Sequence, residues 1–163
     1  MEITAGNLTL FAATLLIGIT AGLCFTWANA VTPGIGQLDD LSYLQAFQKM
    51  NRSIENPLFF VVFFGSFLVG MAAVITNKSV SPEHFRLILV AVGIYFLGVI
   101  LVTVFGNVPL NQLMDKTDLA NSSLEELQTL RNRFERPWNR FHLIRVLAAM
   151  ISFALLIIAS TNK

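Results

Sequence analysis

His142 and Arg145 are the two side chains whose types and spacing best suit chemistry. An imidazole exchanges a proton near neutral pH and a guanidinium holds an anion, so one helix face carrying both offers proton transfer beside an anion site. The surrounding residues, Pro137-Trp138-Asn139-Arg140-Phe141-His142-Leu143-Ile144-Arg145-Val146, lead directly into an apolar run from Val146 to Ala159. At helical rise that run covers only about 21 Å of a hydrocarbon layer about 30 Å thick, so the span it belongs to must begin before Arg145. His142 and Arg145 therefore lie at or inside the membrane boundary, where an ionisable group is costly unless it snorkels, pairs or lines a polar cavity. On a helix, Trp138, His142, Arg145, Ala149 and Ser152 share one face, and Ile144, Leu147, Ile151, Leu155 and Ile158 share the opposite one. The aliphatic face is expected to meet lipid and the Trp/His/Arg face to look into the protein.

The elements that must hold this face are helical and embedded in a bilayer. The 163 residues are 55% hydrophobic and 13% charged, with a mean hydropathy of +0.65. Soluble domains carry about 25% charged residues. The expectation is one all-α domain, an integral membrane four-helix bundle with spans at about 8–31, 58–76, 84–106 and 138–160. The first run carries Ala28-Asn29-Ala30, which resembles a signal-peptidase site. Its length and the acidic Glu2, where a signal peptide has Lys or Arg, favour a retained span instead. Gly18 and Gly22 would let a neighbouring helix approach closely, and Thr32-Pro33-Gly34-Ile35-Gly36 is expected to stop the helix.

Between the first two spans, Leu41, Leu44, Phe47, Met50 and Ile54 recur at helical spacing among Asp39, Asp40, Gln45, Gln48, Lys49, Asn51 and Arg52. This predicts an amphipathic helix that lies on the bilayer surface, the commoner arrangement, or caps the bundle. Asn56-Pro57 turns the chain into the second span. Ser81-Pro82-Glu83 reads as N-cap, first-turn proline and first-turn acid of the third, with His84 and Arg86 in a solvated turn. Pro109, in Asn107-Val108-Pro109-Leu110-Asn111, is expected to break that helix at the membrane edge. Ser123-Leu124-Glu125-Glu126 is a capping box that starts a polar helix through about Glu135, with Arg131, Arg133, Arg136 and Arg140 on a solvated or headgroup-facing surface. Pro137 is then expected to open the last span, which ends at Ser160-Thr161-Asn162-Lys163.

Several function classes drop out. A net charge of +1 without a basic stripe argues against nucleic acid as a partner. The single Cys24 excludes an internal disulfide, a Cys-x-x-Cys pair and a thiolate cage. Phosphate-loop, dinucleotide, zinc-protease and hydrolase motifs are absent, and one histidine in a candidate pocket is poor provision for haem or zinc.

In order along the chain stand Gly22 through Pro33-Gly34, then Phe47-Gln48-Lys49-Met50-Asn51-Arg52-Ser53-Ile54-Glu55-Asn56-Pro57, then Gly106-Asn107-Val108-Pro109-Leu110-Asn111, and then Trp138 through Arg145. This succession resembles the anthrone oxygenase family of small four-span membrane proteins, in its bacterial branch, and covers nearly the whole chain. The resemblance implies a bacterial inner-membrane protein and, by analogy with fungal members, cofactor-free oxidation of an anthrone-like or phenolic substrate by O₂. On that reading His142 is the base and Arg145 stabilises the enolate. Amide donors from Asn111, Asn107 and Asn51 assist, Asn56 joins the substrate-binding set, and Trp138 stacks on a flat ring. No metal or other cofactor is required, since the substrate carbanion itself reduces O₂.

Other readings use the same residues. His142 and Arg145 would simply lock the bundle by bonding Asn111, Asn51 or Glu55. As a binding or transport component, the chain would use the polar face to hold a lipid, a quinone or another small apolar ligand without turnover. Alternatively the chain is a structural subunit or homo-oligomer that docks through Gly18, Gly22 and the arginine-rich helix. Four spans put both termini on one side. Lys78, Arg86 and Lys163 lie there, against Lys49, Arg52, Lys116, Arg131, Arg133, Arg136, Arg140 and Arg145 on the other, which points the two long loops to the cytoplasm. The recess serving the site is expected between the third and fourth spans.

Overall fold

The computed structural model describes residues 4–161; Glu2, Asn162 and Lys163, which figure in the readings above, lie outside them. Five helices account for the fold: α1 (Ala5–Ile35), α2 (Asp40–Ile54), α3 (Pro57–Thr76), α4 (Pro82–Asp115) and α5 (Leu124–Thr161). All but α2 are long and apolar enough to cross a membrane, and no strand occurs among the described residues. The chain is therefore an all-α, multi-pass membrane protein.

Local sequence sets most helix starts. Thr4, Asp39, Asn56 and Ser81 accept hydrogen bonds from the third following backbone N–H at 3.2, 3.0, 3.0 and 3.2 Å. The predicted capping box is reciprocal: Ser123 N–H donates to Glu126 Oε2 at 2.7 Å and Glu126 N–H to Ser123 Oγ at 3.3 Å. The bundle closes as a ring in which α1 packs on α3 and α5, and the first half of α4 bridges α3 and α5. The apolar face of α5 points outward as expected, with Ile144, Leu147 and Ile151 about half exposed.

Two apolar cores divide the molecule. The larger runs through the membrane level and includes Ala13, Ile17, Phe63, Ile88, Ala91, Tyr95, Ala149 and Leu156. The smaller joins Tyr43, Leu44 and Phe47 of α2 to Met114, Leu127, Phe134 and Trp138. Helix α2 thus caps the bundle, turning its apolar stripe to protein where surface packing would turn it to lipid. The apolar stripe of α2 is buried by rings that α5 presents, Phe134 lying 4.7 Å and Trp138 4.8 Å from Phe47. Burial pushes the Tyr43 phenol pKa up, and the negative Glu135 adds to that effect.

Pro57 and Pro82 open their helices as the sequence suggests, but Pro109 and Pro137 do not act as expected. Helix α4 continues through Pro109, with Asn107 and Val108 both helical in backbone. A π-helical turn over Thr103–Asn107 precedes the proline, and another over Trp27–Val31 precedes Pro33 in the same way, carrying α1 on to Ile35. The wider turn shifts bonding away from the carbonyl that a proline cannot serve and makes room for its ring. Pro137 lies inside α5, so the polar helix and the last span are one continuous rod of 38 residues.

Other corrections come from pairing across the bundle. His84 is buried, its Nε2 3.3 Å from Asn77 Oδ1, while Asn77 Nδ2 donates to Gly6 O at 3.1 Å. This knot ties three helix ends together on the terminal side. Arg131 is not a solvated charge: it donates to Gly36 O, Leu38 O, Asp40 and Glu135, with its guanidinium 4.3 Å from the Tyr43 ring centre. Of the pair Gly18 and Gly22, only Gly18 supports a close approach. A Cβ there would come within 2.7 Å of Phe153, whereas one on Gly22 meets nothing within 4 Å.

Candidate functional site

Between the two cores lies a cavity of about 450 Å³, a volume typical of small-molecule sites. Its walls come from α2 and all four spans, a wider set than the expected pair of α4 and α5. Phe47, Phe59, Phe63, Trp27 and Trp138 supply aromatic surface, and Asn51, Glu55, Gln112, Asp115 and Lys116 form a polar end. Cys24, Thr103, His142 and Arg145 line its interior. The two π-helical turns beside prolines flank it, since Trp27 begins one and Thr103 the other.

His142 and Arg145 sit side by side on α5, as their spacing requires, and both are buried. His142 Nε2 lies 3.0 Å from the carbonyl oxygen of Cys24. A carbonyl only accepts, so Nε2 carries the hydrogen and Nδ1 presents its lone pair. Arg145 Nη2 donates to that lone pair at 2.6 Å, and Nη1 donates to Thr103 Oγ1 at 3.2 Å. These contacts join α1, α4 and α5; the alternative partners Asn111, Asn51 and Glu55 take no part in them. The Trp138 ring stacks on His142 at 4.8 Å and 19°, and the Arg145 guanidinium lies 5.3 Å from the Trp138 ring centre.

The charge of Arg145 is uncompensated. The ion pairs among the described residues are Arg52–Asp115, Arg131–Asp40 and Arg131–Glu135. None reaches Arg145, although its exposure is only 8%. Its Nε–H and the Trp27 indole N–H are both buried without a hydrogen-bond acceptor among the described residues. Buried donors nearly always find a partner, and both of these orphans belong to residues that line the cavity.

A hydrogen-bonded chain runs from the polar end to this centre. Asn51 Nδ2 donates to Glu55 Oε1 at 3.1 Å, Asn111 Nδ2 to Asn51 Oδ1 at 2.7 Å, and Trp138 Nε1 to Asn111 Oδ1 at 2.7 Å. Asn51, Asn111 and Trp138 are thus brought to the cavity together with His142 and Arg145. Trp138 has its indole N–H bonded to Asn111 and one face stacked on His142, so it supports the site as well as lining it. Asn107 and Asn56 stand elsewhere. Asn107 Nδ2 donates to Trp138 O at 3.2 Å, and Asn56 caps α3, so neither forms the cavity wall. Thr103 and the carbonyl of Cys24 are partners that the sequence hardly signals. An aliphatic hydroxyl in the apolar run before Asn107 is a weak sign of the first, and a backbone group gives no sign of the second.

Among the described residues no three His, Cys, Asp or Glu side chains cluster in a way that would hold a metal ion. Neither a curated protein nor a solved structure matches the chain. Comparison with protein families matches residues 57–155, more than half of the sequence, to Anthrone oxygenase. The match takes in three spans and both His142 and Arg145, and on it this chain belongs to the anthrone oxygenase family.

Proposed function

We propose that this protein is a membrane-embedded oxygenase that converts an anthrone-like carbon acid, or a related phenolic ring system, to a quinone with O₂. The observation that carries the reading is Arg145 on the wall of an aromatic-lined cavity, a buried cation with neither a carboxylate partner nor an acceptor for its Nε–H among the described residues. Such a cation binds neutral carbon acid weakly and its conjugate anion strongly, which is the differential binding that lowers a barrier.

The arrangement of His142 adds a coupling. Arg145 occupies the Nδ1 lone pair, and while it does so the imidazole is not a base. A substrate oxygen arriving at Arg145 competes for that N–H and releases Nδ1 to take the ring C–H proton, leaving an enolate whose charge faces the guanidinium. The electron-rich anion passes one electron to O₂, the two radicals join in a C–O bond, and the peroxide takes back the proton from His142. Loss of water then gives the second carbonyl. One anthrone and one O₂ yield one anthraquinone and one water, with the substrate carbon as the reductant. A bacterial inner-membrane location belongs to the same proposal and rests on the sequence resemblance alone.

Purified protein in lipid discs tests this by O₂ uptake and quinone absorbance with an anthrone. His142→Phe, which keeps a ring against Trp138, and Arg145→Gln are each expected to cut turnover by about 10²- to 10³-fold. Turnover that survives both changes sinks the mechanism. A second reading, in which the cavity holds a quinone or lipid-like molecule without changing it, is favoured by the engaged Nδ1. It predicts tight binding with no O₂ uptake in the wild type.

A further inference from the structure

The cavity has two kinds of edge. One is the polar end at Asn51, Glu55, Gln112, Asp115 and Lys116, partly closed by the Arg52–Asp115 ion pair at 2.6 Å between α2 and α4. The other is apolar. Phe60, Phe64 and Val104 line the cavity yet remain 44%, 43% and 40% exposed, on the outer surface of two membrane-spanning helices. Phe64 lies seven residues beyond Pro57, about 10 Å down the helix axis, and so well inside a hydrocarbon layer about 30 Å thick. The packing of α3 explains the edge: it lies against α1 and against the first half of α4, Pro82–Tyr95, while the π-helical second half of α4 turns toward α5. A seam is left between α3 and Thr103–Asn107 at the level of Arg145.

We propose that ligand reaches the cavity sideways from the hydrocarbon layer through this seam, walled by Phe60, Phe64 and Val104. The ligand enters ring first with an oxygen directed to Arg145. This route does not depend on the oxygenase reading. A ring system leaving lipid for a Phe-lined cavity exchanges one apolar surrounding for another. The polar contacts at Arg145 and Trp27 then hold it in place.

Both tryptophans of the chain, Trp27 and Trp138, line the cavity, so quenching of intrinsic fluorescence reports occupancy without any turnover. Two probes, dihydroxyanthraquinone and its water-soluble disulfonate, are to be mixed by stopped flow with the full chain in lipid discs. Dihydroxyanthraquinone is expected to quench, and the disulfonate to quench far more slowly. Val104→Phe narrows the seam at a lipid-exposed position and is expected to slow association and dissociation alike, by roughly ten-fold, with affinity changed much less. Phe60→Ala and Phe64→Ala should speed both. Equal rates for the two probes, rates indifferent to all three substitutions, or no quenching by either probe overturns the proposal. Seam-dependent quenching in a protein that consumes no O₂ with an anthrone leaves the route standing and removes the oxygenase reading.

Discussion

A buried guanidinium with no carboxylate beside it destabilises a fold, and Arg145 is such a group among the described residues. If its role is function, removing it relieves the fold. Arg145→Met, similar in length and apolar, is expected to leave the thermal midpoint in detergent unchanged or raised while abolishing turnover, since replacing buried charge by packed apolar side chains is often neutral or stabilising. If Arg145 instead locks α4 to α5 through Thr103, the same change lowers the midpoint by several degrees. Thermal melts of wild type and variant decide between the two. The Asn51–Asn111–Trp138 chain predicts a milder effect. Asn111→Leu strands the Trp138 indole N–H in a buried setting, so a loss of about 1–3 kcal/mol in stability is expected with partial retention of turnover.

At the scale of the element, helix contacts depend on small residues where the backbones come closest. A Cβ added to Gly98 would stand 2.4 Å from the Cβ of Ala148, which has no rotamer to escape into. Gly98→Ala should therefore push α4 from α5 and cost about 1–3 kcal/mol, whereas Gly22→Ala, with open space around it, should be neutral or slightly stabilising. Denaturation in mixed micelles compares the two. The α5 face was legible in the sequence because Trp138, His142, Arg145, Ala149 and Ser152 repeat with the helix period, and periodicity survives whatever the helix packs against. Helix starts were legible for a similar reason, since Asn56, Ser81 and Ser123 bond three residues ahead in their own chain. What Pro109 and Pro137 do was not: a π-helical turn, or a proline carried within a rod, depends on neighbours that hold the backbone helical. The burial of His84 and Arg131 was equally hidden, because their partners Asn77, Gly36 and Asp40 come from other helices or connections.

Across the whole molecule, the cavity exists because the α2 cap is held above the membrane-level core, and Arg131 holds that cap. It bonds two carbonyls of the connection into α2, the Asp40 carboxylate at 3.0 Å and, on its own helix, Glu135 at 2.7 Å. Arg131→Ala is expected to destabilise docking of the cap by about 2 kcal/mol, the scale of hydrogen bonds to a charged group. It should speed proteolysis within residues 36–55 while the membrane-level core stays folded, and unchanged cleavage there would remove Arg131 from this role. Helix α5 has a further practical consequence. Its 38 residues extend for about 57 Å, nearly twice the thickness of the hydrocarbon layer. One end must therefore stand clear of a detergent belt, together with α2, as a rigid asymmetric knob. For imaging of so small a particle, that knob is a built-in alignment mark, and an antibody fragment raised against it would give the mass needed without touching the lipid-facing seam.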